Sequence, residues 1–206
     1  DAAIVDGQNS GDDDGVVTEA GAAGAGDPDD TGDLNHTDVD NDNLDDVWQA
    51  VAAPTASASG YGSYTFTAAG VWTYNLDNAD AAVQALNDGD TLSDTFDVLT
   101  EDGTVKTVNI VINGANDAAV VDGDGSGDDD GEVTEAGSVV VGDPTDTGDL
   151  NHVDIDNDDD VWQEVAAPTA SANGYGSFTV TTAGVWTYTL DDADPTVNAL
   201  NDGDTL

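Results

Sequence analysis

The sequence contains no cysteine and no methionine among its 206 residues. Without cysteine no disulfide framework can form, and in secreted proteins a bound metal is a common substitute for stabilising small domains. No apolar stretch approaches the roughly 18 residues that a membrane-spanning helix needs, and no signal-peptide pattern is present. We therefore expect an internal or mature segment of a longer protein, with no membrane span.

Basic residues are almost absent, since Lys106 stands against 45 acidic residues and the formal net charge is −44. Such a charge excludes nucleic acids and anionic membranes as partners, because their phosphates would be repelled. Charge of this density is typical of disorder, but here it accompanies alternating runs with Trp, Tyr, Val and Ile. We therefore predict folded domains that need bound cations. A halophilic surface is the alternative explanation of the total charge.

The sequence contains an internal repeat. Residues 1–42 match residues 117–158 at a constant offset of 116, and a two-residue deletion then changes the offset to 114, so that Trp48 corresponds to Trp162. A period of about 115 residues is too long for a solenoid unit and suits a self-contained domain. The pattern predicts a tandem array of domains.

We predict the first domain at 1–116 and the second at 117–206. The second copy has no counterpart of the segment Ser93 to Asn116, which carries the last two predicted strands. A sandwich without these strands would expose its core and a long sheet edge. Two explanations remain open: the sequence is an excerpt of a longer array, or a neighbouring chain donates the missing strands.

Alternating apolar residues predict β-strands throughout. Tyr61 to Asp77 indicates a hairpin that turns near Gly70, with Trp72 on the inward face. Two further strands meet at the Asp102-Gly103 turn, and an earlier strand is expected at Val47 to Val51. About seven strands separated by turn residues favour an all-β fold, a β-sandwich with Greek-key connections.

Alternating aspartates follow the first strands in the run DVDND, which contains Asp38, Asp40 and Asp42. Ca²⁺ takes six to eight hard oxygen ligands, and alternation places every second side chain on the same side. Two carboxylates about 4 Å apart repel by about 1 kcal/mol in water and about 4 kcal/mol at an effective dielectric of 20. The alternation therefore predicts a Ca²⁺ site. The run Asp122 to Gly127 resembles the opening of an EF-hand loop more weakly, because its twelfth position is Val133.

The segment GSYTFTAAGVWTYNLDNADAAVQALNDGDTLSDTFDVLTEDGTVKTVNIVINGANDA resembles the VCBS repeat of large bacterial surface adhesins of the RTX, type I secreted class. That repeat is related to cadherin-like, Ig-like domains. The likeness covers both copies almost end to end, and the elements WTY-x-LDN, DTF-x-V, DG and NGANDA occur in this order. The resemblance implies tandem cadherin-like sandwiches in extracellular arrays, with Ca²⁺ bound where consecutive domains meet.

The resemblance also implies which residues bind the metal. Asn78 stands where the cadherin-like pattern has Glu, and Gly114 and Ala118 replace two linker ligands, so we expect fewer or weaker ions. The positions that match a complete junction are Glu19, Asp77, Asn116, Asp117, Asp154 and Asp156, and those that match incomplete ones are Asp38 and Asp40 in the first copy and Glu135 and Asp191 in the second. Asp42 and Asp158, which end the runs DVDND and DIDND, are also predicted to bind the metal.

These patterns predict a non-enzymatic, calcium-stabilised extender of a secreted or cell-surface adhesin, whose partners are neighbouring repeats and a receptor or glycan bound through other domains. A filament subunit that assembles with like chains by strand donation is one alternative. A carbohydrate-binding module is another, with Trp48, Trp72, Trp162 and Trp186 as its platform, although tryptophans at such strand positions are more often core. His36 and His152 are expected to be structural, with Zn²⁺ ligation the less favoured interpretation.

Overall fold

The chain forms two compact β units in a computed structural model. The first unit comprises Asp1–Ala118 together with Ile155–Asn157, and the second comprises Ala119–Asp154 and Asp158–Leu206. The three residues Ile155–Asn157 thus belong to the second copy in sequence and to the first unit in space. The predicted boundary at 116/117 stays a prediction. The structure describes residues 3–5, 12–37, 47–121, 129–137, 141–157 and 161–206.

The described part of the first unit is built from strands alone, joined by turns. Apolar and polar residues alternate along these strands. Because successive side chains of a strand point to opposite faces, the apolar row faces inward. They are β1 (Ile4–Val5), β2 (Asp14–Thr18), β3 (Asp29–Asp33), β4 (His36–Thr37), β5 (Val51–Ala56), β6 (Gly62–Phe66), β7 (Val71–Leu76), β8 (Thr91–Leu99) and β9 (Val105–Asn113).

These strands form two main sheets. One has the order β3-β7-β6-β5 and is antiparallel throughout, so the β5-β6-β7 meander with β3 beside β7 makes a Greek key. The other has the order β2-β9-β8, in which β2 runs parallel to β9. A small pair, β1 with β4, accompanies them.

The two sheets enclose one hydrophobic core. Trp72 and Tyr74 of β7 are buried against Phe96 of β8, and the ring centroids of Trp72 and Phe96 are 5.9 Å apart. The inward rows of β8 and β9, with Val98 and Ile110 among them, close the other side. The predicted all-β sandwich with Greek-key connections is therefore confirmed, as is the inward face predicted for Trp72.

The second unit repeats the four-stranded sheet. Its order β11-β15-β14-β13 matches that of the first unit strand for strand, and β10 pairs with β12. A 3-10 turn, Val197–Ala199, follows β15. The strands are β10 (Val120–Val121), β11 (Thr145–Asp149), β12 (His152–Val153), β13 (Val165–Ala170), β14 (Gly176–Val180) and β15 (Val185–Leu190).

The strand predicted at Val47 to Val51 is wrong, because β5 begins at Val51 and runs to Ala56. Trp48 makes only an isolated bridge to Thr100. β5 includes Pro54, although proline cannot donate a backbone hydrogen bond. Here Pro54 lies on an edge strand, between the paired residues Val51 and Thr55 where the register shifts, and both features tolerate proline.

A buried carboxylate, Asp94, organises the polar part of the core. It accepts hydrogen bonds from the Tyr74 hydroxyl at 2.9 Å, from the Ser57 hydroxyl, and from the backbone N–H groups of Ser59 at 2.9 Å and Thr95 at 2.8 Å. Burial acts to raise the pKa of Asp94, but these hydrogen bonds outweigh it and hold the pKa below its usual value. Burial, with the contact to Asp94, raises the pKa of Tyr74.

We expect Asp94→Asn to lower the free energy of unfolding at pH 7 by about 2 kcal/mol, since hydrogen bonds to a charged group contribute about 1.5–3 kcal/mol. Because the folded pKa lies below the unfolded one, this contribution is present above the usual pKa of 3.8 and is lost as pH falls through the folded value. Urea unfolding across pH should therefore show the variant converging on the original protein in acid. A constant difference down to pH 2 would contradict this. The control is Asp97→Asn, exposed on the same strand.

Candidate metal centre

Glu19 is a carboxylate placed in the inward row of a strand. Gly15 and Val17 of β2 face the core, and Glu19 continues that row one residue beyond the end of the strand. Its backbone N–H donates to the Asn113 carbonyl at 3.1 Å, which extends the parallel pairing of β2 with β9. The side chain is therefore fully buried, with 0% exposure.

The Glu19 carboxylate is only half satisfied. Its Oε1 accepts the backbone N–H of Ala115 at 2.9 Å. Its Oε2 is buried and accepts no hydrogen bond from any residue that the structure describes. A buried ionised carboxylate with an unsatisfied oxygen is costly, because desolvation is not compensated. This oxygen makes Glu19 a candidate ligand for a cation.

Two other carboxylates, those of Asp117 and Asp156, influence the pKa of Glu19. Burial raises the pKa of Glu19 above its usual value, the hydrogen bond from Ala115 opposes this, and the negative charges of Asp117 and Asp156 raise the pKa further. A like charge disfavours ionisation only at short range. The carboxylates of Glu19, Asp117 and Asp156 therefore converge on one region of the first unit.

The segments after β9 and at 155–157 are tied together by hydrogen bonds. The Asp117 backbone N–H donates to Asp156 Oδ2 at 2.7 Å, and Asn157 Nδ2 donates to Asn116 Oδ1 at 3.0 Å. Asp156 Oδ1 is buried and, among the described residues, receives no hydrogen bond. Asp156 thus repeats the pattern of Glu19, with one oxygen engaged by a backbone N–H and the other without a donor.

Asn87 and Asp88 contribute to this region although no site prediction includes them. Asp88 Oδ1 accepts the Asn116 backbone N–H at 3.1 Å, and Asn87 Nδ2 donates to the Asp156 carbonyl at 3.3 Å and to Asn157 Oδ1 at 2.6 Å. The available signal was the run LNDGD, which occurs in both copies, at 86–90 and 200–204. In both copies its Asn and second Asp close the same turn.

An open cleft of about 370 Å³ adjoins Glu19 in the first unit. Its wall includes the turn that follows Glu19, in which Gly26 has φ +67°. A Cβ at Gly26 would lie 2.2 Å from the Glu19 carbonyl oxygen, so only glycine fits this close approach. Asp88 and Asn116 also line the cleft, which therefore presents carboxylate and amide groups together.

Asp77 and Asp191 have the same local role in the two units. Asp77 Oδ1 accepts the Ala79 N–H at 3.0 Å, and Asp191 Oδ1 accepts the Ala193 N–H at 3.0 Å, so both carboxylates cap turns after the last strand of the four-stranded sheet. Asn78, which follows Asp77, contacts the segment after β2. Its Oδ1 accepts the backbone N–H of Ala20 at 3.2 Å.

The structure brings four predicted ligands, Glu19, Asn116, Asp117 and Asp156, into one region of the first unit. Asp154 lies in the second unit, as does Glu135, whose side chain is half-buried. Asp38, Asp40, Asp42 and Asp158 lie outside the described residues, and so does the run Asp122 to Gly127. The assignment of all these residues to a metal stays a prediction.

The residues of this region fit Ca²⁺ by chemistry. Ca²⁺ prefers carboxylate and carbonyl oxygens, and it tolerates irregular geometry. Glu19 and Asp156 each supply a buried oxygen without a donor, and Asp117 adds a third carboxylate. Within the described ranges, however, no three His, Asp or Glu side chains are arranged as a ready ligand group.

The aromatic and histidine predictions can be placed as well. Trp48 and Trp72 are 3% and 1% exposed, so neither offers a ring face to a sugar. His36 packs edge-on against Trp48 with ring centroids 4.9 Å apart, and His152 packs the same way on Trp162 at 5.0 Å. In the part of the chain that the structure describes, no helix has the length and apolar character to cross a membrane.

Comparison with protein-family profiles gives no match, and neither does comparison with curated protein sequences. Solved structures that are similar to the chain include the following two. A protocadherin, PcdhgB3 EC1-4, is 10% identical over 92% of this chain and 41% of its own, with a TM-score of 0.41. The human desmocollin-1 ectodomain is 12% identical over 88% of this chain and 30% of its own, with a TM-score of 0.34.

The chain therefore spans less than half the length of either cadherin structure. Both TM-scores are below 0.5, so the assignment of a β-sandwich depends on the strand order and the shared core described above. The finer resemblance to VCBS repeats stays a prediction.

Proposed function

We propose that this chain is a calcium-stabilised structural extender from a secreted or cell-surface bacterial adhesin, without catalytic activity. The observation that carries the proposal is Glu19, a fully buried carboxylate whose Oε2 accepts no hydrogen bond from any described residue. A divalent cation would neutralise it together with Asp117 and Asp156. Ca²⁺ would supply no chemistry beyond charge neutralisation and cross-linking of these oxygens.

The mechanical role follows from where the ligands come from in sequence. Glu19 belongs to the first copy, whereas Asp117 and Asp156 belong to the second. An ion shared by these three residues would fasten the beginning of one repeat to the repeat before it. In an array of such repeats, each bound ion would restrict rotation at one linker and extend the adhesin away from the cell.

Small-angle X-ray scattering tests this role. We expect the chain in Ca²⁺ to scatter as a more rigid particle than the chain in EDTA, because the ion removes freedom between consecutive repeats. NaCl at matched ionic strength is the control, since it screens the charge without binding specifically. Identical scattering curves in Ca²⁺ and EDTA would contradict the proposed function.

A further inference from the structure

Three consecutive strands of the four-stranded sheet in each unit contain no charged residue. None of the 45 acidic residues, nor the single base, lies between Val47 and Leu76 or between Val165 and Leu190. These two stretches contain β5 to β7 in the first unit and β13 to β15 in the second. Most of the remaining chain is densely acidic, although residues 103–116, which contain β9, also carry no Asp or Glu.

The outward residues of these strands form what we call the neutral face. They lie on the side of the sheet opposite Trp72 and Tyr74, and they are exposed or half-buried. Thr65 lies directly across from Thr73, which places small hydroxyl groups in register. The second unit presents the same face with Thr189 in place of Asn75. In the first unit the face consists of Ala56, Ser63, Thr65, Val71, Thr73 and Asn75.

Strand propensity does not explain the missing charge. Asp is generally disfavoured in strands. However, β3 belongs to the same sheet and carries Asp29 and Asp33, both exposed and paired with Asn75 and Val71 of β7. The sheet therefore accepts acidic residues up to the border of the neutral face, whereas the three adjacent strands that form this face carry none.

We propose that the neutral face is the contact surface for a second copy of this chain. A cation or a sugar has no need of a surface without carboxylates, because carboxylates attract cations and accept hydrogen bonds from hydroxyl groups. An anionic partner gains most from their absence, because each carboxylate would both repel it and have to be desolvated on contact. A second copy carries the same charge of −44 and offers a matching neutral face, whereas a uniformly charged polyanion offers none.

The size of the effect supports this choice. Each pair of carboxylates brought within about 4 Å would cost about 1 kcal/mol in water and about 4 kcal/mol at an effective dielectric of 20. At the neutral face the nearest acids lie at the rim, where physiological salt screens them over about 8 Å. Two copies can therefore approach through this face and through no densely acidic one.

The contact must be weak in a single chain. Three strands about 4.8 Å apart and about 17–20 Å long cover roughly 200–300 Å² per unit, below the roughly 800 Å² per partner of a stable interface. Repetition along an array would add such contacts together. Pro54 interrupts the β5 edge, so side chains rather than an added strand make the contact.

Sedimentation velocity and light scattering at high protein concentration test the inference. In EDTA and about 1 M NaCl, where charge is screened within about 3 Å, we expect a negative second virial coefficient and a mass that rises with concentration. Thr73→Asp with Thr187→Asp should make the coefficient positive. Thr73→Val with Thr187→Val, which keeps the face neutral, should leave association intact.

The matched control places the same added charge elsewhere. Val105→Asp with Val111→Asp adds two carboxylates at exposed positions of β9, which are 55% and 40% exposed, and association should persist. A positive virial coefficient for the original chain would overturn the inference. Equal loss of association in the Thr73→Asp/Thr187→Asp and Val105→Asp/Val111→Asp variants would overturn it as well. Because the measurement is made in EDTA, it is independent of whether Glu19 binds Ca²⁺.

Discussion

Glu19→Gln is expected to make the protein more stable in EDTA and to remove most of its stabilisation by Ca²⁺. In the folded protein the pKa of Glu19 is raised, so its contribution opposes folding as pH rises above the usual value of 4.5 and does so fully once the folded pKa is passed. Gln keeps an oxygen for the Ala115 N–H and carries no charge, so we expect a gain on the order of 1 kcal/mol without metal.

In Ca²⁺ the order of stability should reverse. A ligand at about 100 times its Kd stabilises the folded state by about 2.7 kcal/mol, which for a unit of this size corresponds to roughly 10–20 °C in Tm. The rise in Tm that Ca²⁺ causes should be less than half as large in Glu19→Gln as in the original protein. Thermal unfolding followed by tryptophan fluorescence, in EDTA and in Ca²⁺, measures both effects.

The matched control is Glu135→Gln, the same substitution in the same VTEAG motif of the second copy. Glu135 is half-buried rather than fully buried, so its removal should change stability little in either condition. If Glu19→Gln responded to Ca²⁺ as strongly as the original protein, Glu19 would not be a ligand. If both variants lost the response equally, general charge rather than a site would be responsible.

The fold was predictable where its determinants are local. Alternation alone places Trp72 inward, and an Asp-Gly pair predicts the turn between β8 and β9. Prediction failed at Val47 to Val51, because β5 begins at Val51 and continues through Pro54, which a strand tolerates at a sheet edge. Edge position is a property of the assembled sheet and is not visible in any short window of sequence.

The candidate site shows the same division. Glu19, Asp117 and Asp156 were predicted as ligands because they match positions of the cadherin-like junction. Asp88 was not predicted although its run LNDGD recurs in both copies, because its oxygen accepts the backbone N–H of Asn116, which lies far along the chain. Sequence patterns thus reveal side chains that carry charge, whereas the groups that position the backbone around them depend on tertiary contacts.

Replacing Lys106 should be among the most destabilising single changes in the chain. Lys106 is the only base, yet its Nζ lies inside the first unit, 2.7 Å from Asp13 Oδ2, with side-chain exposures of 12% and 7%. Lys106→Met would leave Asp13 as a buried, unpaired carboxylate. Breaking a buried pair in this way costs about 3–5 kcal/mol, which is roughly 15 °C or more in Tm.

The double variant Lys106→Met with Asp13→Leu separates the pair's net contribution from the cost of breaking it. Buried ion pairs replaced by apolar residues of similar volume are often neutral or stabilising, so the double variant should regain most of the loss. Asp13 Oδ1 is buried and, among the described residues, accepts no hydrogen bond, which adds to the cost of keeping the charge.

Guanidinium unfolding of the single variant, the double variant and Asp14→Asn measures these differences. Asp14 is exposed beside Asp13, and its substitution should stay within about 0.5 kcal/mol of the original protein. A loss below about 1 kcal/mol for Lys106→Met would mean that the pair behaves as a solvated surface ion pair. Recovery in the double variant would instead show that the chain keeps its one cation to neutralise Asp13 where β2 joins β9.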